Sequence, residues 1–147
     1  MLLRRQCLED LGGLDGDYFL YYEDVDLCRR ARSIGWNVLF EPGLQAIHHH
    51  PLHSRPIQAY FRLLTRHALL TYASKHWPDW QCRLIAALVT HEARWRRCWA
   101  QRRGDSGGAK IYAQLRRMAR EMVCGQIDEA QRLLNAVVRR EEQRRGA

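Results

Sequence analysis

From residue 54 to residue 145, apolar side chains recur at intervals of three and four, whereas in the first fifty residues helical stretches alternate with turns and short extended runs. A three-to-four spacing lines one face of an α-helix and suits no strand, so the larger part of the chain reads as entirely helical. Pro56 fits a first helical turn, and Ile57, Tyr60, Phe61, Leu64 and Ala68 follow on one face. Trp77-Pro78-Asp79 interrupts the pattern and offers Asp79 as the next N-cap. Trp80, Leu84, Leu88, Trp95 and Trp99 form a second stripe, with arginines around it. Gly104-Asp105-Ser106-Gly107-Gly108 reads as a linker. Two amphipathic helices follow, one carrying Ile111, Leu115, Met118 and Met122, the other Ile127, Ala130, Leu134 and Val137, with Gly125 between them.

Residues 1–50 read as mixed α/β. A helical turn through Cys7, Leu8 and Leu11 stops at Gly12-Gly13. A turn-rich aromatic stretch, Leu14 to Tyr22, leads into a helix from about Glu23 to Ile34. Acids crowd its first turn, Arg29, Arg30 and Arg32 fill its end, and Gly35 stands where a left-handed residue closes a helix. Trp36 to Phe40 reads as a short strand, Pro42-Gly43 as a turn, and Leu44 to His48 as a second strand. The expected organisation is an α/β segment over 1–53, basic amphipathic helices over 54–103, the linker over 104–108 and a helical hairpin over 109–147.

No apolar run reaches the roughly eighteen residues that span a bilayer, and Leu84 to Val89 is the longest clean stretch. Met1-Leu2-Leu3 precedes Arg4-Arg5, the reverse of the order in a signal peptide. Five cysteines without a C-x-x-C pair read as reduced thiols, neither a disulfide framework nor a zinc module. The expected location is cytoplasmic, peripheral on the inner face of the membrane. Charge is uneven: residues 1–50 hold five arginines against eight acids, a net −3, and residues 51–147 hold a net +11. All cations except Lys75 and Lys110 are arginines, the better side chain for bidentate phosphate contacts and stacking.

Two clusters bear chemistry. Tyr22-Glu23-Asp24-Val25-Asp26 puts three acids at a helix start, where acids also simply complement the helix dipole. At about 100° per residue Asp24 and Asp26 diverge by about 200°, so Asp24 can point away from its neighbours. Ile47-His48-His49-His50, with His53 nearby, supplies imidazoles, but too few local donors for a complete metal shell.

The order Gly12-Gly13-Leu14-Asp15, then Tyr18-Phe19-Leu20-Tyr21-Tyr22-Glu23-Asp24-Val25-Asp26-Leu27-Cys28-Arg29, then Gly35-Trp36, Pro42 and His48-His49 closely resembles the second half of the catalytic domain of inverting family-2 glycosyltransferases, the rhamnosyl- and galactofuranosyltransferase-like members above all. The resemblance covers residues 1 to about 76 and implies a partial, acceptor-side GT-A-like α/β subdomain followed by an α-helical region. It implies Asp24 as general base, Gly13, Tyr22, Glu23 and Asp26 around the acceptor, and His48 as a ligand to Mg²⁺ or Mn²⁺. The implied partners are a nucleotide-sugar donor and a glycan or lipid-linked acceptor. The chain departs from the pattern at Gly16-Asp17, where relatives usually carry Glu, and at His50-Pro51-Leu52-His53-Ser54. A nucleotide-binding half with an Asp-x-Asp metal motif is expected before residue 1. On that expectation the chain does not transfer sugar alone and exposes apolar surface around Met1-Leu2-Leu3.

The rival reading is a non-catalytic basic helical module. Its cations and tryptophans suit an anionic membrane surface. They suit nucleic acid less, because no helix-turn-helix, zinc or RNA-recognition signature accompanies them.

Overall fold

The computed structural model describes residues 1–47, 58–123 and 127–146. The readings made for His48, His49, His50, His53, Pro56, Ile57 and Gly125 fall outside those residues. The chain divides into two compact units, Met1–Ile57 and Gln58–Ala147.

The first unit contains α1 (Arg5–Asp10) and α2 (Glu23–Ser33). Both helices close the same way. After α1, the amide of Gly12 donates to the Glu9 carbonyl and that of Gly13 to the Leu8 carbonyl; after α2, Gly35 donates to Arg32 and Trp36 to Ala31. This paired closure needs a left-handed residue, and Gly12 (φ +67°) and Gly35 (φ +92°) supply it without a Cβ penalty. The stop at Gly12-Gly13 and the closing role of Gly35 are therefore as the sequence indicates. The indole of Trp36 donates to Asp10 at 3.1 Å and returns the chain to α1. Cys7, Tyr18, Leu27 and Ala31 form the small buried core.

The expected α/β class is wrong for the described residues, which contain helices and irregular segments but no strand. The segment 36–47 is irregular, with a turn at Pro42-Gly43, and Leu39 and Phe40 are 85% and 91% exposed. Strand propensity expresses fit to a half-buried pleated surface, and no described segment offers these residues a ladder to join. Met1 and Leu2 are likewise exposed.

The second unit contains α3 (Ala59–His76), α4 (Asp79–Arg102), α5 (Ser106–Val123) and α6 (Ile127–Gly146). Asp79 is the first residue of α4, Pro78 occupies the N-cap, and no side chain caps that end. The expected linker is shorter than its composition suggests. Gly104 and Asp105 make the turn, Ser106 to Gly108 already belong to α5, and Asp105 caps that helix through the Gly108 amide at 2.8 Å. Helix α5 packs on α3, α4 and α6. Its stripe of Leu115, Met118 and Met122 is buried as the periodicity predicts, with Ala130, Leu134 and Val137 opposite on α6. Each fully buried Leu or Met contributes about 1.5–3 kcal/mol.

The stripe on α4 is the exception. Trp80, Leu84, Leu88, Trp95 and Trp99 are exposed, and the helix buries Ala86, Val89, Ala93 and Ala100 instead. Small side chains let α4 lie close against α5, and the bulky face is left outside. No described helix is long and apolar enough to cross a membrane.

Glu92 ties α4 to α3. Its carboxylate receives Arg62 at 3.1 Å, Arg66 at 2.8 Å and Arg96 at 2.8 Å. Burial by itself would raise the Glu92 carboxyl, but hydrogen bonds from Arg66 and Arg96 outweigh it and hold the group down to about 2, from an ordinary 4.5. Because the folded-state carboxyl titrates below the unfolded one, this contribution is whole above about pH 4.5 and disappears as pH falls toward 2. Glu92→Gln should lower stability at neutral pH by about 2 kcal/mol and flatten the loss between those two pH values, read by urea unfolding of the helical signal. An unchanged acid slope would refute the role.

Candidate functional site

The candidate residues gather where the loop after α1 enters α2. Tyr21 (φ +71°) and Tyr22 (φ +66°) are consecutive left-handed residues, and Tyr22 is the N-cap of α2. A bulky L-residue in that region costs about 1–2 kcal/mol. Strain of this kind persists only where its surroundings hold it, and here the hold is visible.

Asp26 is 1% exposed and accepts from the Tyr18 hydroxyl at 3.3 Å and from Arg30 Nε at 2.7 Å. The guanidinium of Arg30 also donates through Nη1 to the Leu11 carbonyl (3.0 Å) and through Nη2 to the Gly13 carbonyl (3.1 Å). One planar fork thus binds a carboxylate and two carbonyls at once, a task that suits arginine and not lysine. The Asp26 amide donates to the Tyr22 carbonyl at 2.8 Å. Gly13, Tyr22 and Asp26 therefore belong to one network. Arg30 is the member that the sequence reading missed, taking it only as a complement to the helix dipole; its i,i+4 spacing from Asp26 was the available signal.

Asp24 stands apart from that network. It is exposed, as the 200° divergence from Asp26 requires, and its Oδ1 accepts from the Val25 amide at 2.8 Å. Glu23 is half-buried, and its Oε2 is shielded from solvent with no hydrogen-bond partner among the described residues. The fifth expected residue type, the His48 metal ligand, lies outside the described residues. Among the described residues no group of three or more His, Cys, Asp or Glu could hold a metal ion, so they do not supply a shell for Mg²⁺ or Mn²⁺.

A groove of about 860 Å³ opens elsewhere on this unit, lined by Leu3, Cys7, Leu27, Ala31, Val38 and Leu44 among others. It lies between the irregular 36–46 segment and the two helices, with Arg4, Asn37, Glu41 and Gln45 among its mostly apolar lining, and Tyr22, Glu23, Asp24 and Asp26 are not part of it.

Comparison with known proteins bears on this same stretch. The family model described as Glycosyltransferase like family 2 matches residues 1–69, which contain the whole network. Residues 1–69 are thus similar to family-2 glycosyltransferases. The chain is 41% identical over 49 residues to the N-acetylglucosaminyl-diphospho-decaprenol L-rhamnosyltransferase of Mycobacterium tuberculosis, in both strain CDC 1551 / Oshkosh and strain H37Rv. That match takes in 33% of this chain and 16% of the mycobacterial protein. It is 35% identical over 80 residues to Rhamnosyltransferase WbbL of Escherichia coli strain K12, over 48% of this chain and 30% of that one. The chain therefore spans well under a third of the length of the mycobacterial relatives it matches. No solved structure matches it.

Within this segment, Asp26→Ala should lower the stability of the first unit by about 2–3 kcal/mol, because it removes the buried carboxylate to which the Arg30 guanidinium and the Tyr18 hydroxyl both donate. Tyr22→Gly should raise stability by about 1 kcal/mol by relieving the left-handed tyrosine. Urea unfolding followed through Trp36, which reports on this unit, distinguishes the two; a neutral Asp26→Ala would contradict the clamp.

Proposed function

We propose that the first unit carries the general base of a sugar transferase and that Asp24 is that base. The supporting observation is the division of labour between two neighbouring carboxylates. Asp26 is buried and bound on both oxygens, and Asp24, two residues earlier, is exposed and anchored by one backbone amide.

In the proposed reaction an acceptor hydroxyl approaches the anomeric carbon of a nucleotide-sugar from the side opposite the nucleoside diphosphate. The new C–O bond forms as the bond to the diphosphate oxygen breaks, and the centre inverts. The hydroxyl proton passes to the Asp24 carboxylate late in the displacement, so the base needs to lie within hydrogen-bond reach and need not be strongly basic. Glu23 Oε2, shielded and without a donor among the described residues, suits a second hydroxyl of the acceptor, since an unmet buried acceptor gains most from a new hydrogen bond. Tyr22 and Gly13 shape the rim, and Asp26 acts through Arg30 as a positioning residue. The acceptor is a glycan or a lipid-linked saccharide, as the mycobacterial relative's name states for that enzyme. A divalent ion bound through His48 would neutralise the leaving diphosphate, and no step is routed through it here.

Asp24→Asn, assayed for transfer with the chain combined with a nucleotide-binding half from a relative, should lower turnover about a thousandfold, within the range general base catalysis supplies, and leave acceptor binding near wild type. Turnover within tenfold of wild type would end the assignment of Asp24.

A further inference from the structure

Helix α4 carries its large apolar side chains on the outside. Trp80, Leu84, Leu88, Trp95 and Trp99 are all exposed, Trp80 by 64% and Trp95 by 60%. At 100° per residue these five fall within an arc of about 100°, and along the axis they extend about 28 Å. No acid lies inside the arc, and Glu92 at its edge is engaged by three arginines. The rings of Trp95 and Trp99 are 5.7 Å apart, with Arg103 stacked 4.1 Å over Trp99.

Cations flank this face. At 100° per residue Arg102 falls inside the arc, Arg94 lies about 40° beyond one edge and Arg103 about 40° beyond the other, and all three are exposed. None of the three pairs with a carboxylate among the described residues.

We propose that this face docks the helical unit on an anionic lipid bilayer. The indoles and leucines lie at the boundary of headgroups and acyl chains, and Arg94, Arg102 and Arg103 contact lipid phosphates. Aromatic and leucine side chains bordered by arginine are the composition of an interfacial helix. Charge selects this occupant over a second copy of the chain. Residues 58–147 hold eighteen basic residues against eight acids, a net +10, so two such faces would meet as like charges. Nucleic acid would satisfy the arginines but leave Leu84 and Leu88 without an apolar counterpart. The inference rests on the second unit alone and stands whatever Asp24 does.

The test is co-sedimentation of the full chain with vesicles of phosphatidylglycerol and phosphatidylcholine, against vesicles of phosphatidylcholine alone. Retention should require the anionic lipid, weaken with salt and shift tryptophan emission to the blue. Replacing Arg94, Arg102 and Arg103 by Gln should weaken binding about a hundredfold, at about fivefold for each arginine near the surface. Trp95→Ser with Trp99→Ser should weaken it at least about tenfold and diminish the blue shift. These side chains are partly or fully exposed, so helicity by circular dichroism should be unchanged; if it is not, quenching of the wild-type tryptophans by brominated lipid decides the matter. Equal retention on both vesicle types, no retention, no quenching, tighter binding to duplex DNA than to vesicles, or a dimer that the tryptophan substitutions dissolve would each overturn the proposal.

Discussion

A single guanidinium organises the first unit. Arg30 binds the Asp26 carboxylate and the carbonyls of Leu11 and Gly13 together, so the loop after α1, the strained tyrosine pair and the start of α2 are held as one piece. A buried carboxylate without that partner would be costly in a small core. With it, Asp26 becomes a fixed point from which the orientation of its neighbours follows. Helical geometry then turns Asp24 outward, and the left-handed Tyr21 and Tyr22 are kept in a conformation they would otherwise leave. The arrangement resolves an ambiguity that three adjacent acids present. They are not interchangeable, because one is committed to the fold and another faces solvent.

The second unit shows the same logic of commitment on a larger scale. Helix α4 has two candidate apolar faces, one rich in Trp and Leu, the other in Ala and Val. The smaller residues are buried because they permit close approach to α5, and Glu92 fixes the rotation of the helix by drawing arginines from α3 and from α4 itself. The large residues are then exposed as a consequence of packing elsewhere. An outward row of indoles and leucines flanked by exposed arginines is unusual for a helix in water, and anionic lipid meets both requirements of that surface.

Much of the local structure was legible in the sequence. The closure of α1 at Gly12-Gly13, the acid-headed α2 ending before Gly35, and the buried stripes of α5 and α6 all follow from short-range rules of capping and periodicity. The strands expected at 36–40 and 44–48 were not legible in the same way. A strand is defined by a partner, and no residue's own preference supplies one. The clamp on Asp26 was half visible: the i,i+4 pair stands in the sequence, but the carbonyls of Leu11 and Gly13, nineteen and seventeen residues from Arg30, do not.

By itself the sequence determined where helices begin and end and which family the first sixty-nine residues resemble, since capping chemistry and motif order are properties of neighbouring residues. Only the tertiary structure decided which of three acids is buried and which face of α4 looks outward. Both outcomes depend on groups brought together from distant parts of the chain, where desolvation and packing, summed over many contacts, outweigh the preference of any one residue.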